Sequence, residues 1–165
     1  MKKINKSLKG IRIIDLSMGW AGPLAARNLS DLGADVIKVE SCENFDWWRS
    51  WEATEEWIKD DGAEKSPAFN SVHRNNRNIT LDLSRSEGRK LLLKLVGTAN
   101  AVMENFSGSV LPKLKLSYEI FKEVKKDIIL LSMPAFGSTG PWKMFRAYGS
   151  TVEQSSGLPH INGLS

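Results

Sequence analysis

Ile11-Arg-Ile-Ile-Asp-Leu-Ser-Met-Gly-Trp-Ala-Gly-Pro23 runs on through Leu24-Ala-Ala-Arg-Asn-Leu-Ser-Asp-Leu-Gly33 into Ala34-Asp-Val-Ile-Lys-Val-Glu40. Bulky apolar residues cluster at Ile11, Ile13, Ile14 and Leu16, and again at Val36, Ile37 and Val39, as in strands buried on both faces. Between them, Gly19 and Gly22 allow close backbone approach, Pro23 suits the first turn of a helix, and Gly33 stops that helix. The stretch therefore predicts strand, turn, helix, strand. A turn of this kind directs backbone N–H groups beyond the strand's carboxyl end, where an anion is favoured, although any βαβ crossover has the same outline.

Outward from this unit, strands and helices keep alternating. Asn78 to Leu83 reads as a short strand, and Ser84-Arg-Ser-Glu87 as a capping box opening a helix through Leu91, Leu92, Leu93 and Leu95. Ala101-Val-Met103 is a further buried strand. Ser107-Gly108 turns into a helical piece near Val110 to Lys115, Ser117 starts another helix, and Ile128 to Ser132 is the last clear strand. Alternation of this kind predicts an α/β fold with an open, mainly parallel, Rossmann-like sheet and flanking helices. After Pro134 the glycines and prolines at 137, 140, 141, 149, 157, 159 and 163 read as loop. The implied organisation is a basic tail at 1–8, an α/β domain at 9–140 and an incomplete loop-rich segment at 141–165.

Composition narrows the function class. With 165 residues, 41% hydrophobic and 25% charged, the chain has the make-up of a globular domain with one sizeable core. The basic start is followed by Lys9 and Arg12 rather than an apolar run, so neither a signal peptide nor a membrane span is expected, and a cytoplasmic location follows. Cys42 is the single cysteine, and His73 and His160 are the only histidines, in no metal-ligand spacing, so no metal is expected. The net charge of +4 is spread among acids rather than gathered in a stripe, which argues against nucleic acid and is compatible with a polyphosphate ligand. Trp47, Trp48, Trp51 and Trp57 carry too much aromatic surface to stay wet and are expected to pack on the protein, a second subunit or a ligand.

Several segments, in order, resemble the class III coenzyme A transferases, the formyl-CoA transferase and carnitine CoA-transferase family. They are Asp15-Leu-Ser, Ala21-Gly-Pro23, Asp31 to Glu40, Asn75-Asn-Arg-Asn-Ile-Thr-Leu-Asp-Leu83, Glu87 to Leu93, Val102-Met-Glu-Asn-Phe106, Phe136-Gly-Ser-Thr-Gly-Pro141 and Tyr148 to Leu158. The resemblance implies a coenzyme A or acyl-CoA substrate, no covalently bound cofactor, a carboxylic acid as second substrate, and interlocked homodimers of a considerably longer polypeptide. It assigns Gly19, Trp20 and Ala21 on the first loop and Asn105 and Phe106 on the second to coenzyme A, with Leu81, Lys113 and Leu114 against the nucleotide. Lys113 reads equally as a solvated lysine, and Arg77 as either a phosphate ligand or a partner for an acid. Ser17 to Ala21, Glu104 to Ser109 and Pro134 to Gly140 are expected to meet at the sheet's carboxyl edge.

The family's nucleophile is an aspartate that the resemblance puts beyond Gly163, so no catalytic residue is assigned and the 165-residue chain is expected to be inactive alone. Asp15, Asp31, Asp35 and Asp82 fall in scaffold motifs. The related α-methylacyl-CoA racemases use a histidine near Tyr148, where this chain has Ala147-Tyr-Gly149. Two alternatives remain from the residues themselves. Glu40, about 20 residues past the turn, matches the ribose-binding acid of a nicotinamide-dinucleotide domain, although the third glycine of that fingerprint is missing. The other is a non-catalytic interaction module.

Overall fold

A computed structural model describes residues 6–50 and 54–163. Its centre is a five-stranded, all-parallel sheet of β1 (Arg12–Asp15), β2 (Asp35–Glu40), β3 (Arg77–Thr80), β4 (Ala101–Glu104) and β5 (Ile129–Ser132), in the spatial order β3-β2-β1-β4-β5. The helices are α1 (Ala21–Asp31), α2 (Glu55–Lys59), α3 (Gly62–Lys65), α4 (Pro67–His73), α5 (Ser86–Val96), α6 (Val110–Lys113), α7 (Tyr118–Val124), α8 (Gly149–Ser155) and α9 (Leu158–Ile161).

Alternation along the strands builds two cores, because successive side chains leave a strand on opposite faces. Ile14, Ile37 and Val102 join Leu92 and Val96 of α5 and Phe121 of α7 on one face. Their neighbours Ile13, Val36 and Met103 meet Ala26 of α1 on the other. A sheet covered on both faces explains the nearly continuous apolar runs. Strand order reverses between β1 and β4, which makes the loops after those two strands the topological switch point.

The first unit has the predicted geometry. Gly33 has φ +104° and closes α1, and a Cβ on Gly22 would lie 2.2 Å from Ser17 Oγ. Three local readings are corrected. The capping box at Ser84 does not form. The Asp82 carboxylate takes both the Ser84 N–H (2.9 Å) and the Ser84 hydroxyl (2.6 Å), so α5 starts later, after Arg85, and Glu87 accepts from Ser86 instead. A charged acceptor two residues upstream outcompetes the hydroxyl's reach to a downstream amide.

The segment read as loop after Pro134 contains α8 and α9, because Gly149 opens the first and Gly157, with φ +77°, lies just before the second. Helix α4 was not expected, although Ser66-Pro67 is a start signal: Ser66 Oγ accepts from the Phe69 N–H (3.4 Å) and Pro67 takes the first helical position.

Trp47, Trp48 and Trp57 pack within the chain. Trp47 and Trp48 stack at 4.5 Å, Trp20 meets the edge of Trp48 at 6.1 Å, and Tyr148 meets Trp47 at 5.8 Å. Trp57 covers Gly62, where a Cβ would lie 2.3 Å from its ring. Trp51 lies outside the described residues, as do residues 1–5 of the expected tail.

Candidate ligand site at the carboxyl edge

The ends of β1, β2 and β3 and the loop after β4 enclose a cavity of about 290 Å³. Leu16, Met18, Val39, Leu81, Leu83, Phe106, Val110 and Leu114 supply its apolar wall, and Glu40, Ser41, Asn44, Asp82 and Ser84 its polar groups. These residues are remote in sequence and are brought together because parallel strands all end at the same edge. Of the residues expected to touch the ligand, Leu81, Phe106 and Leu114 line this cavity. Lys113 is exposed on α6, one residue from Leu114 and outside the lining.

Gly19, Trp20 and Ala21 form a second group at the mouth of the β1 loop. Trp20 is 54% exposed, and Gly19, with φ +75°, has Trp47 where a Cβ would project, at 2.5 Å. Asn105 joins the two loops of the switch point: its Oδ1 accepts from the Met18 N–H (2.8 Å) and its Nδ2 donates to the Met18 carbonyl (2.7 Å). Met18 itself lines the cavity. The end of β5 is fixed to the end of β4: Met133 N–H donates to the Glu104 carbonyl (2.9 Å), and Ser132 Oγ donates to the Glu104 carboxylate.

The expectation that the β1 turn offers free amides to an anion is corrected at three positions. Ser17 N–H donates to Asp15 (2.9 Å), Met18 N–H to Asn105, and Gly19 N–H to Asp46 Oδ2 (2.9 Å). The amides left without an intrahelical partner by geometry are those that open α1, at Ala21 and Gly22.

Beneath the loop lies a buried ionic cluster that the sequence reading missed. Lys38, fully buried on β2, donates from Nζ to the Ser17 carbonyl and lies 3.6 Å from Asp46 Oδ2 and 4.0 Å from Asp15 Oδ2. Its signal was a lysine inside Val36-Ile-Lys-Val39, since a charge on a strand buried on both faces must find partners. Burial pushes the Asp46 carboxyl up, against the pull of Lys38 and the amides of Trp48 and Gly19. Burial, reinforced by Lys38, drives the His73 imidazole down to about 3, so it is neutral at its 3.4 Å approach to Asp46 and forms no ion pair.

The acids tied to scaffold motifs are committed. Arg12 and Arg77 both pair with Asp35, which decides the Arg77 reading for a structural partner. Arg74 and Asn75 hold Asp31, and Asp82 holds Ser84 and Arg85. Glu40, the acid of the dinucleotide alternative, accepts from Arg49 (2.9 Å) and from the Asp46 N–H (2.8 Å). Burial pushes it up, but these bonds and the Arg49 charge hold it below the usual carboxylate range.

An all-parallel sheet covered by helices on both faces, with a cavity beside the β1–β4 switch point, defines an open, doubly wound α/β protein. The chain belongs to CoA-transferase family III, whose sequence model matches residues 8–165. It is 40% identical over 158 residues to a succinate–glutarate CoA-transferase of Agrobacterium fabrum, covering 94% of this chain and 39% of that protein. It is 38% identical over 160 residues to an acyl-CoA transferase of Fusarium pseudograminearum, covering 95% and 35%. Among solved structures, a CaiB/BaiF family protein from Brucella suis superimposes with a TM-score of 0.80 at 37% identity, covering 93% of this chain and 40% of that one. The chain thus spans well under half the length of these relatives. Nothing in these comparisons supports the nicotinamide-dinucleotide reading.

Proposed function

We propose that this chain is the coenzyme A-binding portion of an enzyme that moves coenzyme A between an acyl-CoA and a carboxylic acid. The observation that carries the reading is the convergence of Leu81, Phe106 and Leu114 on one cavity at the sheet's carboxyl edge. A flat heteroaromatic base stacks on Phe106 between the two leucines, which suits an apolar cavity of this size. Lys113 at the rim meets a phosphate, and the pantetheine arm runs over Gly19, Trp20 and Ala21 toward the β1 loop. Asn105 acts by fixing Met18, since its amide is engaged there on both sides.

We assign the four motif aspartates, which hold Ser17, Arg74, Arg77 and Ser84, to the scaffold and give none of them the role of the nucleophilic carboxylate of the transfer reaction. In the whole protein, homodimerisation and a cytoplasmic location belong to the same proposal; among the described residues no helix is long and apolar enough to cross a membrane. The test is calorimetric titration of the purified 165-residue chain with coenzyme A and with NAD. The expected result is weak coenzyme A binding, because a cavity of about 290 Å³ buries only part of so long a ligand and offsets the cost of association poorly, and none for NAD. Phe106→Ala should weaken it about tenfold, the loss of one stacking contact. Preferential NAD binding would contradict the reading.

A further inference from the structure

We propose that Lys38 and Asp46 form a buried clamp that sets the shape of the Ser17–Gly19 loop for its ligand, and that both are positioning residues of the coenzyme A site. The inference rests on the coenzyme A reading above for the identity of that ligand. Its evidence is where the hydrogen bonds of the loop go. Ser17 donates its amide to Asp15 and accepts at its carbonyl from Lys38 Nζ. Met18 exchanges both backbone groups with Asn105, and Gly19 donates to Asp46 Oδ2. Side chains from four separate places in the sequence therefore hold three consecutive residues.

An ion pair with a purely stabilising role would end on side chains, and an apolar pair could replace it at little or no cost. This one ends on loop backbone on both sides. Lys38 holds the Ser17 carbonyl and Asp46 the Gly19 amide, with the two charges 3.6 Å apart. Asp46 is anchored in turn: its own N–H donates to Glu40 (2.8 Å), and its Oδ1 accepts from Trp48 (3.0 Å). Through it, the Trp47–Arg49 turn and the β1 loop are bonded to the same side chain. The loop has no slack at Gly19, whose left-handed backbone lies against Trp47. The groups facing the clamp are Asp15 from β1, Glu40 from β2, Arg49 from the following turn and His73 from α4.

The experiment measures amide hydrogen exchange and coenzyme A titrations by NMR on the full 165-residue chain. In the unaltered protein, Met18 and Gly19 amides should exchange at least about a hundredfold slower than unfolded-chain rates, and rates close to the unfolded chain would overturn the clamp. Asp46→Asn should speed exchange at Gly19 and weaken the coenzyme A dissociation constant, each about tenfold, while Val102 and Phe121 keep their protection. A rise spread evenly over Val102 and Phe121 would show a general structural role and overturn the proposal.

The apolar replacement Lys38→Met with Asp46→Leu provides a second arm. Because it leaves the Ser17 carbonyl and the Gly19 amide without their partners, it should lower the melting temperature while Val102 and Phe121 keep their protection, and at a temperature where the variant is fully folded it should bind coenzyme A about tenfold more weakly; unchanged affinity there overturns the proposal. If the unaltered chain shows no coenzyme A shifts at all, the ligand reading fails, and the exchange rates still decide the clamp.

Discussion

Gly88 lies in the first turn of α5 with its Cα turned toward the backbone of Asp82, and a Cβ there would sit 1.9 Å from the Asp82 carbonyl oxygen. An alanine in a helix normally gains about 1 kcal/mol over glycine. Here the overlap is with backbone that cannot rotate away, so the sign reverses. Gly88→Ala is expected to destabilise the protein by about 3 kcal/mol, read from the midpoint of urea unfolding. His73 supplies a pH prediction. Its imidazole titrates at about 3 in the fold against 6.5 unfolded, so as pH falls below 6.5 the unfolded chain gains a proton that the folded one refuses. Stability should therefore drop by up to about 1.4 kcal/mol per pH unit, most cleanly above about pH 5, because burial of Asp46 works in the opposite direction nearer its own range. His73→Phe should flatten that slope in thermal melts at pH 7, 6 and 5. An unchanged slope would mean that His73 is protonated in the fold. Neither residue was legible in the sequence: His73 has no partner pattern there, because its environment comes from β2 and from the Asp46 loop.

At the scale of elements, what could be read was periodic or began with a local start signal. The runs at Ile11 to Leu16 and Val36 to Val39 announced β1 and β2 because both faces of the sheet are covered. Ser117 announced α7, where its Oγ accepts from Ile120 (3.3 Å). What was lost was competition between neighbours, as at Ser84, where Asp82 takes the hydroxyl, and the short helices α4, α8 and α9, whose glycines and prolines also spell loop. The join between the β1 and β4 loops is a long-range fact that no local pattern carries. Asn105→Ala removes both of its bonds to Met18 and leaves that backbone unpaired in a half-buried place. We expect a loss of about 2 kcal/mol in stability and coenzyme A binding about tenfold weaker, measured by urea unfolding and titration. An unchanged dissociation constant would remove Asn105 from the site.

At the scale of the whole molecule, β5 is an edge strand whose Ile129 and Leu131 stay 62% and 43% exposed, and the chain spans about two-fifths of the Brucella suis structure it matches. The fold class was legible because alternating strands and helices admit few topologies. The site was legible only in outline. Resemblance pointed to Leu81, Phe106 and Leu114, while the rest of the cavity wall, Leu16, Val39, Leu83 and Val110, comes from where strands end. With its motif aspartates engaged, the 165-residue chain alone is expected to transfer no coenzyme A from succinyl-CoA to a free dicarboxylic acid. Intact mass should show no acyl adduct, and turnover that survives repurification would reveal a nucleophile among its own acids. The central claim is that coenzyme A enters the cavity at the carboxyl edge, and methyl NMR of the chain during a coenzyme A titration tests it most directly. Saturating shifts should concentrate on Met18, Leu81, Leu83, Val110 and Leu114 and weaken in Phe106→Ala. Shifts confined to α8 and α9, or equal shifts with NAD, would contradict the account.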